Sequence, residues 1–120
     1  MKKRYRSFVF AWQGIRYCFL EGINFRIQLC CGAVACMLGL LLHLSGSEWL
    51  PILICIAAVL SLEMINTAIE HLCNMIHPGT HNTIKIIKDV AAGAVLVTAI
   101  ISVVIAAIIF IPKILSIGII

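Results

Sequence analysis

At 120 residues the chain has room for one small domain, and 62% of it is hydrophobic against 12% charged, with a mean hydropathy of +1.13. That balance excludes an ordinary water-soluble domain and describes a membrane protein, one with so little interior that several copies are expected to assemble. The net charge of +4 is concentrated at the start, and with apolar segments following it, this points away from nucleic acid and towards anionic lipid headgroups.

Lys2, Lys3, Arg4, Arg6, Arg16 and Arg26 precede the first apolar run, no acid appears before Glu21, and Tyr5, Phe8, Phe10, Trp12, Tyr17 and Phe19 are interleaved with the basic residues. Residues 3–24 are too polar to cross a bilayer, yet Phe8, Trp12, Ile15 and Phe19 recur at spacings of four, three and four, the repeat of one helical face. The pattern predicts an interfacial amphipathic helix along the inner leaflet, aromatic face in the lipid and basic side chains towards headgroups. An unstructured tail over residues 1–7 is the alternative for its beginning.

Three runs without Asp, Glu, Lys or Arg follow, residues 27–44, 49–62 and 90–112, of 18, 14 and 23 residues; a helix needs about 20 residues to cross the hydrocarbon. No small-residue cleavage site follows the first, so it reads as a span and not a secretory signal. The second is too short alone and reaches spanning length only by continuing through Glu63 towards Ile76, a stretch with no Pro or Gly to stop it. Glu63 then falls near one membrane face. Ser45, Gly46, Ser47 and Pro51 mark the turn between the first two spans, with His43 capping the first; His77, Pro78 and Gly79 break the chain between the second and third. Six cationic residues before the first span, and Lys85 and Lys88 in the second connection, against none in residues 43–49, put the N-terminus inside and the C-terminus outside, with Lys113 alone opposing. The fold class is therefore all-α: one membrane domain over residues 1–120, an interfacial helix at 3–24 and membrane helices at 27–44, 49–76 and 84–112.

Cys18, Cys30, Cys31, Cys36, Cys55 and Cys73 lie mostly in apolar stretches without CxxC spacing and read as small hydrophobes, not as a disulfide framework. Ala91, Ala92, Gly93, Ala94 and Thr98 in the third span, and Gly32 and Gly39 in the first, are expected to let helices approach closely.

The feature that calls for chemistry is "LEMINTAIEH", residues 62–71. Glu63, Asn66 and Glu70 are three and four residues apart, so they project from one side of a helix. Ionisable groups at membrane depth cost roughly 2.5 to 3.5 kcal/mol on insertion scales and usually mark function. Against a purely structural reading, in which the acids reach water or pair with Lys85 and Lys88, stands a chemical one. Two oxygen donors a turn or two apart suit a hard cation such as Mg2+, and Lys88 and Asp89 at the mouth of the third span complete a place for a phosphate. A small multimeric transporter or ion-conducting protein using Glu63 and Glu70 as cation or proton sites is the rival from another class.

The run "LEMINTAIEH" with "HNTIKIIKDVAAGAVL" (residues 81–96), and upstream "AWQGIRYCFLEGINFRI" (residues 11–27), resembles the small prokaryotic diacylglycerol kinase family, including its undecaprenol kinase branch. The pattern is E-x-x-N-[ST]-A-I-E, a short loop, then K-D-x-A-A-G-A-V-L, with W-x-G-[IL]-[RK] and F-R in the surface helix. The resemblance implies a homotrimeric lipid kinase of the inner membrane that transfers the ATP γ-phosphate to diacylglycerol or undecaprenol with Mg2+, its sites composed from adjacent subunits. Carried over by position, Glu63 is the general base, Asn66 orients groups in the site, and Glu70 ligates Mg2+ and belongs to the ATP site. Lys88 and Asp89 contact ATP, and Gly79, Thr80 and His81 cover the nucleotide. Trp12, Arg16, Phe19, Phe25 and Arg26 are the implied lipid contacts.

Three positions depart from the family pattern. The family's metal-binding Glu stands three residues before F-R, which here is Gly22, with Glu21 the nearest acid; Asn74 stands where an Asp is usual; and Gly79 replaces an acid before His81. One residue is about 100° around a helix, so Glu21 serves as the second metal ligand only from a locally distorted helix, which Gly22 allows. His71, His77, His81 and Cys73 do not make a zinc motif, because Pro78 and Gly79 interrupt the helix that an i, i+4 His pair requires.

Overall fold

The computed structural model describes residues 2–118 as four helices: α1 (Lys2–Glu21), α2 (Ile23–Leu41), α3 (Gly46–Ile76) and α4 (Asn82–Ser116). All but α1 are long and apolar enough to cross a membrane. The unstructured-tail alternative fails from Lys2 onward, where α1 is already helical; Met1 lies outside the described residues.

The junctions correct the expected boundaries. α1 stops at Glu21 instead of residue 24, because Gly22 takes an extended backbone (φ −101°, ψ 105°). A Cβ on Gly22 would stand 2.7 Å from the Cys18 carbonyl oxygen, so this tight junction requires glycine. Asn24, Phe25 and Arg26 consequently open α2 and do not end α1.

α2 stops at Leu41, short of residue 44. Leu44 N–H donates to the Gly39 carbonyl at 3.1 Å and His43 N–H to that of Leu40 at 3.4 Å, with His43 at φ +54°. This is the Schellman motif, with Leu42 as the C-cap residue and His43 in the left-handed place glycine usually takes, so it is the His43 backbone that closes the first span.

α3 starts three residues before position 49. Glu48 reaches back to accept from the Ser45 N–H and hydroxyl, both at 3.0 Å, and this contact fixes the helix start. Gly46, Ser47 and Pro51 therefore lie inside α3 and not in the turn. Near a helix start Pro51 removes one carbonyl's partner without breaking the helix. In α4, His81 Nδ1 accepts from the Thr83 N–H at 3.2 Å, which moves the start from 84 back to Asn82. The helix also runs past Pro112 to Ser116.

The molecule measures 55 × 43 × 22 Å and, among the described residues, no large side chain is fully buried. α3 lies between α2 and α4, and its pairing with α4 is the most extensive. The packed core sits near the α2–α3 turn, where Leu44, Ile52 and Phe110 gather with Trp49, Ile56 and Ile109 around them. Gly39 makes this possible: a Cβ there would lie 2.6 Å from Trp49 Cη2. Gly32 likewise faces Ile56, with 3.2 Å to Cγ2 for an added Cβ, as the small-residue reading expects. Gly93 differs, facing open space within the chain, so the α4 small-residue patch meets no helix of this chain there. Beyond the core Lys113 Nζ pairs with Glu48 Oε1 at 3.1 Å; the one cation that opposed the charge asymmetry is neutralised locally.

Helices of 31 and 35 residues are about 46 and 52 Å long at 1.5 Å per residue, well beyond the ~30 Å hydrocarbon core. A crossing of about 20 residues that starts at Trp49 ends near Ala68. Glu63 then lies roughly a turn and a half inside the hydrocarbon edge, with Glu70 and Asn74 in the headgroup zone.

Candidate functional site

The polar stripe faces inward where it is deepest. Glu63 and Asn66, each 7% exposed, are the buried polar residues among those described. Position sets this: both sit on the α3 face turned to the rest of the chain, whereas Glu70, one turn on, is exposed. Asn66 Nδ2 donates to Glu70 Oε1 at 3.4 Å, Thr67 Oγ1 donates to the Glu63 carbonyl at 3.0 Å, and Gln28 from α2 lies against the Glu63 carboxyl. Asn66 Oδ1 and Gln28 Oε1 are buried without a hydrogen-bond partner. Such orphaned acceptors are costly in a finished core.

The donor chemistry fits Mg2+. Two carboxylates and two unpaired amide oxygens are all hard oxygen ligands, the kind Mg2+ takes alongside water and phosphate. Glu21 is exposed at the end of α1, and among the described residues no three of His, Cys, Asp or Glu gather closely enough to hold a metal. The expected Glu21–Glu70 ligand pair is thus not joined by a third acid within one chain. A Glu at position 22 would drive its Cβ into the Cys18 carbonyl, so this backbone has no room for the family's usual acid.

The basic and loop residues are placed less uniformly. Lys88 Nζ donates to Asn74 Oδ1 at 2.5 Å, so the start of α4 is tied to the end of the α3 stripe. Asp89 pairs with Lys85 at 2.6 Å on an exposed face. Neither lysine pairs with Glu63 or Glu70 among the described residues, so the pairing part of the structural reading fails, while the exposed Glu70 is free to meet water as that reading also allowed. In the loop, Gly79 and Thr80 are exposed, and the rings of His77 and His81 tilt against each other with centroids 5.2 Å apart.

On the membrane side of the stripe is an apolar cavity of about 460 Å³. Its walls come from α1 (Trp12, Ile15, Arg16, Phe19), α2 (Phe25, Leu29) and α3 (Ala57, Leu60, Ser61, Met64). Four of the five implied lipid contacts thus line one cavity, the exception being Arg26, and the α3 wall runs past Glu63. Cys18, 6% exposed, is buried where α1 meets α3; burial pushes its thiol up, and the nearby Glu63 charge adds to this.

Sequence reasoning read Cys18 correctly as a buried small side chain but missed its place beside Glu63, as it missed Gln28 and the contact of Tyr17 with His71, whose Oη and Nε2 are 3.0 Å apart. Gln28 carried a legible signal as the one amide in the run 27–44. The other two depend on how α1 folds back.

A buried carboxylate with unpaired oxygen donors around it, beside an apolar cavity, is what an enzyme acting on a lipid needs. The chain belongs to the prokaryotic diacylglycerol kinase family, whose profile matches residues 9–110, and it is a lipid kinase. It is 39% identical over 113 residues to the undecaprenol kinase of Bacillus subtilis (strain 168), covering 94% of this chain and 92% of that one. It is 36% identical over 111 residues to the diacylglycerol kinase of Synechocystis sp. (strain ATCC 27184 / PCC 6803 / Kazusa), covering 92% of this chain and 63% of that one. The transporter reading finds no support.

Proposed function

We propose that the protein transfers the ATP γ-phosphate to the hydroxyl of a membrane lipid alcohol, with Mg2+ required and undecaprenol the favoured acceptor over diacylglycerol. The observation that carries this is the buried Glu63 beside an apolar cavity, roughly a turn and a half inside the hydrocarbon edge, where a lipid hydroxyl can reach it. The preference for undecaprenol rests on the likeness to the Bacillus subtilis undecaprenol kinase along nearly its full length.

In this reading the lipid tail occupies the cavity against Trp12, Phe19 and Phe25, while Arg16 and Arg26 reach headgroups. Glu63 accepts the hydroxyl proton as general base, and Asn66 keeps the Glu70 carboxylate oriented through its amide. Phosphoryl transfer asks mainly for positioning and charge neutralisation. Glu70 and Asn66 would hold Mg2+, with Glu21 as a further ligand contributed by a neighbouring copy; when bound, the ion offsets the phosphate charge. Lys88, held by Asn74, gives a fixed positive charge for the same phosphates. Asp89, released from Lys85, and the Gly79, Thr80 and His81 backbone complete the nucleotide side. The working form is a homotrimer in the cytoplasmic membrane, α1 along the inner leaflet, N-terminus inside and C-terminus outside.

The test is transfer of labelled phosphate from ATP to undecaprenol and diacylglycerol in lipid nanodiscs, with and without Mg2+. Undecaprenol is expected to be labelled, and Glu63→Gln to lose at least about 100-fold in rate while keeping its helical content. Absence of labelling on both lipids, or an active Glu63→Gln protein, overturns the proposal.

A further inference from the structure

α1 carries one wall of the cavity and is joined to the rest of the chain covalently only through the extended junction at Gly22. Among the described residues its single side-chain hydrogen bond to another helix is Tyr17 Oη with His71 Nε2 at 3.0 Å, the rings edge-on with centroids 5.6 Å apart. Tyr17 follows Arg16, a cavity residue, while His71 follows Glu70. One step is about 100° around a helix, so His71 faces α1 and not the polar stripe. Neither residue lines the cavity.

Because Trp12, Ile15, Arg16 and Phe19 all ride on α1, the angle of α1 about Gly22 sets the width of the cavity. A contact at Tyr17, close to that junction, fixes the angle. We propose that Tyr17 and His71 are a positioning pair that pins α1 over the cavity and thereby sets affinity for the lipid alcohol without taking part in phosphoryl transfer. The proposal rests on the reading of the cavity as the acceptor site.

Cys18 is the natural reporter of the pin. It adjoins Tyr17 and is buried on the packed face of α1, so swinging α1 outward uncovers it whether or not turnover occurs. The experiment compares the full-length wild type, Tyr17→Phe, His71→Ala, the double variant and His71→Gln in undecaprenol-containing nanodiscs. The measurements are kcat, KM for lipid and for ATP, and the rate of Cys18 alkylation by iodoacetamide, followed by peptide mass.

Loss of one neutral hydrogen bond is worth about fivefold. Each single variant is expected to raise lipid KM and Cys18 alkylation by about that factor, with kcat and ATP KM unchanged. The double variant is expected to match the singles, since all three break the same bond, and His71→Gln, which keeps a partner for the phenol, to stay near wild type. Additive singles, an effect on kcat or ATP KM, or unchanged Cys18 alkylation overturns the proposal. If the wild type phosphorylates neither lipid, the kinase reading fails, and the alkylation rates alone then decide the pin: a rise in both singles supports it and equal rates overturn it.

Discussion

Gly39→Val should unfold the chain more easily, and by an amount the structure lets one work out. An added Cβ would lie 2.6 and 2.8 Å from Trp49 Cη2 and Cζ2 and 3.0 Å from Leu44 Cδ1, where carbon pairs prefer about 3.5–4.0 Å. Trp49 has no easy retreat, because it packs on the Leu44–Ile52–Phe110 cluster. Overpacking of this kind costs about 1–3 kcal/mol, and the small gain in helix propensity over glycine offsets only a few tenths. The expected net loss is about 2 kcal/mol, read from unfolding in mixed dodecyl sulfate micelles by circular dichroism. Trp49→Phe removes both of the nearest carbons, so adding it to Gly39→Val should recover part of the loss. Gly14→Ala, where an added Cβ meets nothing within 4 Å, should be neutral or stabilising by up to about 1 kcal/mol. A Gly39→Val protein as stable as wild type, or one that Trp49→Phe fails to rescue, refutes the packing account.

Gln28→Leu should separate stability from activity. It removes the orphaned Oε1, leaving stability unchanged or higher by about 1 kcal/mol, while phosphoryl transfer falls at least about tenfold as Glu63 loses its polar neighbour from α2; a parallel fall in both would contradict this. The Glu48–Lys113 pair, with side chains 27% and 31% exposed, should show a coupling no larger than that of an ordinary surface ion pair in a cycle of Glu48→Gln and Lys113→Met, shrinking in high salt. A larger or salt-independent value would mean that the pair is drier than the structure makes it.

Much of the architecture was legible because hydropathy and charge act locally along a chain. The spans followed from runs free of charge, and the continuation of α3 through Glu63 followed from the lack of any breaker before His77. The boundaries were harder for physical reasons. The Gly22 junction, the His43 turn and the Ser45–Glu48 contact are each decided by one or two hydrogen bonds that composition does not reveal. Within the site, the spacing of Glu63, Asn66 and Glu70 already put them on one face, but that the first two are buried and Glu70 exposed depends on packing. Gln28 and the Tyr17–His71 contact required α1 and α2 to be folded back on α3, a relation between residues as much as 54 positions apart.

The molecule is built like a pair of tongs, riveted where Trp49 locks over Gly39, with the proposed acceptor site at the other end, where the Tyr17–His71 and Lys88–Asn74 contacts tie the helices. In the proposed reading durability resides near the rivet and selectivity at the tips, so the two properties can drift separately over evolutionary time. A lineage could re-tailor its grip on bulkier or slimmer acceptors through α1 and the residues around Glu63, while the closed end keeps the helices together.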